Sequence, residues 1–160
     1  MRFATWNVNS ITARLPRLLD WLATRQPDVA CLQETKVAAD AMPVDEVRKL
    51  GYEVAAHAMG RWNGVAILSR IGLEEVRTGL DDEPGFPDPE ARAVAANCGG
   101  LRVRSVYVPN GRTPADPHYA YKLAWLDALR STVRPHPPTG RCLPTGDQGR
   151  GRRHAGGRGP

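Results

Sequence analysis

A mixed α/β layered fold is the class this sequence predicts. Strand-like and helix-like segments alternate through the early part of the chain, strand pairs follow later, and hydrophobic residues make up 41% of the composition, enough for a real core. At 160 residues the chain has the size of one ordinary domain, or of a large part of a longer one.

The first strand is predicted from Phe3 to Val8, where "RFATWNV" alternates and is rich in β-formers. A helix should follow from near Pro16, a residue suited to a first helical position, with Leu15, Leu18, Leu19 and Leu22 as its apolar stripe. "PDVACLQE" reads as a buried strand from Asp28 to about Gln33, and "PVDEVRKLG" as a short helix closed by Gly51. "YEVAA" and "GVAILS" are two further strands, with a tight-turn signal at Asn63-Gly64. "ARAVAAN" and "LRVRSVYV" form a hairpin about Gly99-Gly100. "DPHYAYKLAWLDALRSTV" is a last helix, with Leu123, Leu126, Leu129 and Val133 along one side. No internal repeat is evident.

The net charge of +5 is unevenly placed. Residues 140–160 hold five arginines and one acid, a local +4, which leaves residues 1–139 at +1. The body is nearly neutral, so the high isoelectric point is no argument for nucleic acid. Cys31, Cys98 and Cys142 form no C-x-x-C pair, which fits reduced thiols better than disulfides or a zinc site. No stretch suits a signal peptide or a membrane span, so a cytoplasmic protein, monomeric when folded, is expected. Periodicity stops after Pro137-Pro138. Residues 140–160 carry 7 of the 16 glycines and no apolar run, the composition of a disordered tail.

Chemistry is expected at one sheet rim. A crossover helix between the first two strands makes them parallel, so their C-terminal ends open on the same edge. Asn7 ends the first strand and Glu34 the second, bringing an amide and a carboxylate together. A carboxylate there suits a hard cation such as Mg²⁺, held by one or two carboxylates plus phosphate and water. Taken alone, Glu34 reads first as a solvated strand end and Asn7 as a capping or turn residue. Trp6, Trp21 and Trp125 read as packing residues, Cys31 and Cys98 as small core residues, and His118 as a cap or surface residue. Trp62, in a loop, has no such ready explanation.

The segments "TWNVNSITAR", "PDVACLQETK", "WNGVAILSR", "EARAV" and "VYVPNG" occur in one order. Together, from Met1 to about Val133, they resemble the exodeoxyribonuclease III branch of the endonuclease/exonuclease/phosphatase superfamily, which includes bacterial abasic-site endonucleases. The resemblance implies a deoxyribonuclease-I-like layered sandwich, two mixed β-sheets flanked by helices, of which this chain has the N-terminal half. It implies a Mg²⁺-dependent (or Mn²⁺-dependent) hydrolase cutting DNA phosphodiesters in base excision repair, on double-stranded DNA with abasic sites or 3′ ends. Glu34 then matches the metal ligand, Asn7 the amide supporting the metal site, and Tyr107 the tyrosine close to the scissile phosphate. Asn110, Arg92 and Lys36 match positions on the substrate side.

Residues 1–139 thus read as the N-terminal part of such a domain. The family's Gly-Asp-x-Asn and closing Ser-Asp-His do not appear. Asp147, in "LPTGDQG", has glycine where the asparagine belongs. Loss of the general base alone costs on the order of 10²–10⁴ in rate, so the 160-residue chain is expected to be inactive. Most of the second sheet should also be missing, leaving one face of the first bare. The stretch from near Pro135–Gly140 onward reads as out-of-frame translation: under permitted codon choices the neighbouring frame of Arg153–Pro160 spells a hydrophobic strand running into Gly-Asp. The competing reading is a non-catalytic fragment that binds nucleic acid weakly through its arginines. A phosphoinositide-type branch of the superfamily fits "NVNSITAR" and "YVPNG" less well.

Overall fold

The computed structural model describes residues 1–133. In chain order the elements are β1 (Phe3–Asn7), α1 (Ile11–Arg25), β2 (Val29–Gln33), a 3-10 turn (Ala39–Ala41), α2 (Val44–Arg48), β3 (Glu53–His57), β4 (Val65–Ser69), β5 (Glu74–Thr78), β6 (Ala93–Cys98), β7 (Leu101–Val106) and α3 (Pro117–Val133). One sheet runs β1-β2-β4-β3 and the other β5-β6-β7. β1 and β2 are parallel, as the crossover through α1 requires, and the remaining pairs are antiparallel. Among the described residues no helix is long and apolar enough to cross a membrane.

Side-chain alternation builds four layers. On β4, Ala66 and Leu68 face α1 and α2, in one cluster with Leu18, Leu22 and Val47. Val65 and Ile67 point the other way, onto Val94, Ala96 and Cys98 of β6. Burial on both faces explains why β4 reads as an unbroken apolar run. The outer face of the second sheet is closed by α3, whose Tyr121 and Trp125 pack with Ala93. Both described thiols are free, and burial pushes the Cys31 thiol up to about 11, the state of an inert core cysteine.

Four expectations need correcting. The second sheet is not missing: β5, β6 and β7 already cover the inner face of the first. Among the described residues β1 and β3 are the edges of the first sheet, and β5 and β7 those of the second. Helix α1 starts at Ile11, with Pro16 inside it; Ser10 caps it through a bond from the Ala13 amide at 3.3 Å, and Ile11 is fully buried. A cap and a buried first turn outweigh one lost hydrogen bond at the proline. On α3 the buried residues are Tyr121 and Trp125; of the expected stripe Leu126 and Leu129 pack half-buried beside them, while Leu123 and Val133 are exposed. The Trp125 indole reaches the Glu83 carboxylate at 2.6 Å and sets the helix phase. Strand β5 went unforeseen because all five of its residues are exposed, so it carries no alternation of burial. Cys142 and residues 140–160 lie outside the described residues.

Candidate metal and phosphate site

The site begins with the β1/β2 register. Asn7 stands opposite Gln33, so the next residue of the second strand, Glu34, comes level with the Asn7 side chain. The Asn7 amide donates to Glu34 Oε1 at 2.7 Å, and the Asn7 carbonyl oxygen accepts from the Asn9 backbone amide at 3.0 Å. On the other side, Lys36 Nζ lies 2.7 Å from Glu34 Oε2 and donates to Asn9 Oδ1 at 2.6 Å. Hydrogen bonds from Asn7 and then Lys36 hold the Glu34 carboxyl below the usual carboxylate range, so it is ionised at neutral pH.

The backbone is bent to achieve this. Glu34, Lys36 and Asn9 have φ of 55°, 53° and 52°, in the left-handed region that side chains disfavour. Three backbone bonds hold the bend: Thr35 N to Gly64 O at 3.1 Å, Lys36 N to Asn63 O at 3.0 Å, and Ile11 N to Thr35 O at 2.9 Å. The Asn63-Gly64 turn signal therefore marks the clamp on the Glu34 loop, within a connection longer than a two-residue hairpin.

Tyr107 follows β7 and faces the same carboxylate. Burial, and then the neighbouring Glu34, raise its phenol, which stays a neutral hydrogen-bond donor at neutral pH. No closed hydrogen bond joins the two side chains among the described contacts. Arg92 is only 7% exposed. Its guanidinium bonds the Glu90 carboxylate and the Tyr107 carbonyl oxygen (3.1 Å), and lies 5.0 Å from the Tyr107 ring centre. Arg92 is thus placed beneath Tyr107, with its donors turned to protein groups. Asn110 is exposed, and its side-chain oxygen accepts from the Arg112 amide at 2.9 Å. It makes no hydrogen bond to the Glu34 cluster among the described residues.

Sequence reasoning missed the residues that hold Arg92. Glu90 accepts from Asn63 Nδ2 (2.7 Å), from the Tyr121 hydroxyl (3.0 Å) and from Arg92. It thereby ties the β3–β4 loop, the entry to β6 and α3 to one carboxylate. The available signal was the spacing of Glu90 and Arg92 two apart in "EAR". Burial pushes the Glu90 carboxyl up, but the bonds from Arg92, Asn63 and Tyr121 outweigh it and leave it below its ordinary value of 4.5. Because the folded value is lowered, the stability it contributes is complete at neutral pH and is lost as pH falls from 4.5 through the folded value. Glu90→Ala is expected to destabilise the fold by roughly 2–4 kcal/mol at pH 7, since it strands a buried guanidinium. The difference from wild type should shrink in urea titrations repeated in acid.

The donor set fits a hard, well-hydrated cation. Glu34 offers one carboxylate, oriented by an amide, at a strand end open to solvent. Among the described residues no cluster of three or more His, Cys, Asp or Glu exists; a hard cation held by one or two carboxylates commonly takes phosphate and water as its other ligands. His118 turns out to be a cap partner: its amide and ring both bond Asp116, each at 2.8 Å.

The chain is similar to several known proteins. The chain is 35% identical to exodeoxyribonuclease III of Haemophilus influenzae over 121 residues, 72% of this chain and 44% of that protein. It is 31% identical to DNA repair nuclease APEX1 of Danio rerio over 147 residues, 83% of this chain and 47% of the relative. The 3′ phosphatase NExo from Neisseria, solved bound to a product DNA hairpin, superposes with a TM-score of 0.79 at 38% identity, covering 83% of this chain and 51% of that one. An AP endonuclease from Archaeoglobus fulgidus gives 0.77 at 38% identity with the same coverage. The chain spans about half the length of the relatives it matches. Residues 4–148 match the Endonuclease/Exonuclease/phosphatase family, and the chain belongs to it.

Proposed function

We propose that this chain supplies the metal-holding and phosphate-facing half of a Mg²⁺-dependent nuclease of the exodeoxyribonuclease III type, acting on DNA at abasic sites or 3′ ends. The observation that carries the reading is the convergence of Asn7, Glu34, Lys36 and Tyr107 on one rim. Its relatives include an exodeoxyribonuclease, a DNA repair nuclease and an AP endonuclease.

In this reading Glu34 holds the cation, and Asn7 fixes which way the carboxylate turns. The cation, when bound, stabilises negative charge developing on phosphate oxygen. Lys36 contributes a positive charge beside the phosphate. The Tyr107 phenol, kept protonated, donates a hydrogen bond to a phosphate oxygen. The Arg92–Glu90 pair holds the Tyr107 backbone and ring in place.

The test is an abasic duplex titrated with the 160-residue chain, its Glu34→Ala variant and a form lacking residues 140–160, each with and without Mg²⁺. Mg²⁺-dependent binding that Glu34→Ala removes is expected, and any incision of the abasic duplex should likewise require Mg²⁺ and be lost in Glu34→Ala. Salt-sensitive binding that disappears only with the five arginines of residues 140–160 would support the tail-binding alternative instead.

A further inference from the structure

Trp62 is 77% exposed, and neighbouring Met59 is 60% exposed, on a loop that is otherwise firmly held. Gly60 N bonds Val37 O at 3.1 Å, Lys36 N bonds Asn63 O at 3.0 Å, and Met59 pairs with Ala38 in an isolated bridge. The loop is therefore stapled on both sides of Trp62 to the segment that carries Lys36. Across from it, Phe86, Pro87 and Pro89 complete a cleft of about 340 Å³. An indole is large, rigid and mostly apolar, and leaving one in water on a pinned loop forgoes substantial burial.

Resting on the function proposed above, we propose that Trp62 and this cleft form a stacking subsite for an unpaired nucleobase of the DNA strand whose phosphate meets Lys36. Two features select the base as occupant. Asp88 lies in the cleft wall, Glu90 beside it is already paired with Arg92, and no Lys or Arg lines the cleft, so it offers a phosphate no cation, whereas a neutral base face suits the indole. Arg61, exposed beside Trp62, and Lys36, tied to the same loop, place positive charge for the flanking phosphates. A base held in a duplex has both faces stacked already. The subsite therefore favours a strand end, a gap or a mismatch over intact duplex.

The experiment compares two labelled single strands of equal length by fluorescence anisotropy in Mg²⁺, one of thymidines and one of abasic spacers with the same phosphates. The intact chain is expected to bind the thymidine strand more tightly by about 5- to 150-fold, the worth of one stacked base. Trp62→Ala should erase that preference while leaving the affinity for the spacer strand unchanged, and Trp62→Phe should retain most of it. Equal affinity of the intact chain for both strands, or a preference that survives Trp62→Ala, overturns the subsite. Binding to the spacer strand that Glu34→Ala weakens, with no base preference, refutes the subsite alone. Failure of both strands to bind refutes the nuclease reading with it.

Discussion

Glu34→Ala is expected to abolish divalent-cation binding by this chain, measured as the loss of Mg²⁺ heat in titration calorimetry and of Mn²⁺ immobilisation in electron paramagnetic resonance. The effect should be large because Glu34 is the one carboxylate proposed to hold the ion. In the proposed site that carboxylate would hold the ion at a strand end, beside water and phosphate. Asn7→Ala should act differently. It removes no ligand but frees Glu34 Oε1 from its 2.7 Å bond, so the carboxylate samples other orientations. Partners of this kind are worth about 10- to 100-fold in metal affinity, and that is the loss expected. Unchanged Mg²⁺ affinity in Glu34→Ala would place the cation elsewhere and dissolve the site as described.

The second large effect is expected from a single methyl group. In Gly64→Ala the new Cβ would lie 2.1 Å from the Thr35 hydroxyl oxygen and 3.4 Å from the Lys36 amide nitrogen. Thr35 is fully buried, so its side chain has little room to retreat, and among the described residues its hydroxyl has no hydrogen-bond partner. Gly64 also has a φ of +89°. Forcing a side chain into that conformation costs about 1–2 kcal/mol, and overpacking a filled site about 1–3 more. The variant should lose roughly 2–5 kcal/mol, a fall in Tm on the order of 10 °C. Its Mg²⁺ affinity should fall too, because the clamp on the Glu34 loop opens. Gly51→Ala is the control: its φ is +81°, yet the added Cβ meets nothing within 4 Å. Equal melting temperatures for the two variants would show that the clash, and with it the clamp, is not structurally important.

Much of this site was legible before any fold was known. Asn7 and Glu34 could be placed on one rim because two short β-rich runs flank a leucine-striped helix, and a crossover of that kind forces parallel pairing. The Gly99-Gly100 hairpin was equally plain, with φ of 54° and 82° realised at its two glycines. The roles of Tyr107 and Lys36 came from resemblance to a family. Composition and spacing would have left them a strand-end aromatic and a loop cation.

What stayed hidden depends on contacts between distant parts of the chain. Nothing local distinguishes Arg92 as a buried support for Tyr107 from an exposed basic residue, because its partner Glu90 is in turn held by Asn63, far upstream, and Tyr121, far downstream. Leu123 looked like a core residue of α3 and is exposed, since helical spacing defines a stripe but not the direction it faces. Trp125 and its bond to Glu83 supplied that direction.

The sequence by itself determined the strand and helix pattern, the parallel β1–β2 unit and the meeting of Asn7 with Glu34, all of which follow from local periodicity and chain connectivity. Only the tertiary structure decided that the second sheet already covers the first, that Gly64 clamps the Glu34 loop, and that Glu90 joins three segments beneath Tyr107. Those outcomes depend on volume, register and burial at close approach, which are properties of packed side chains and cannot be read along a single chain.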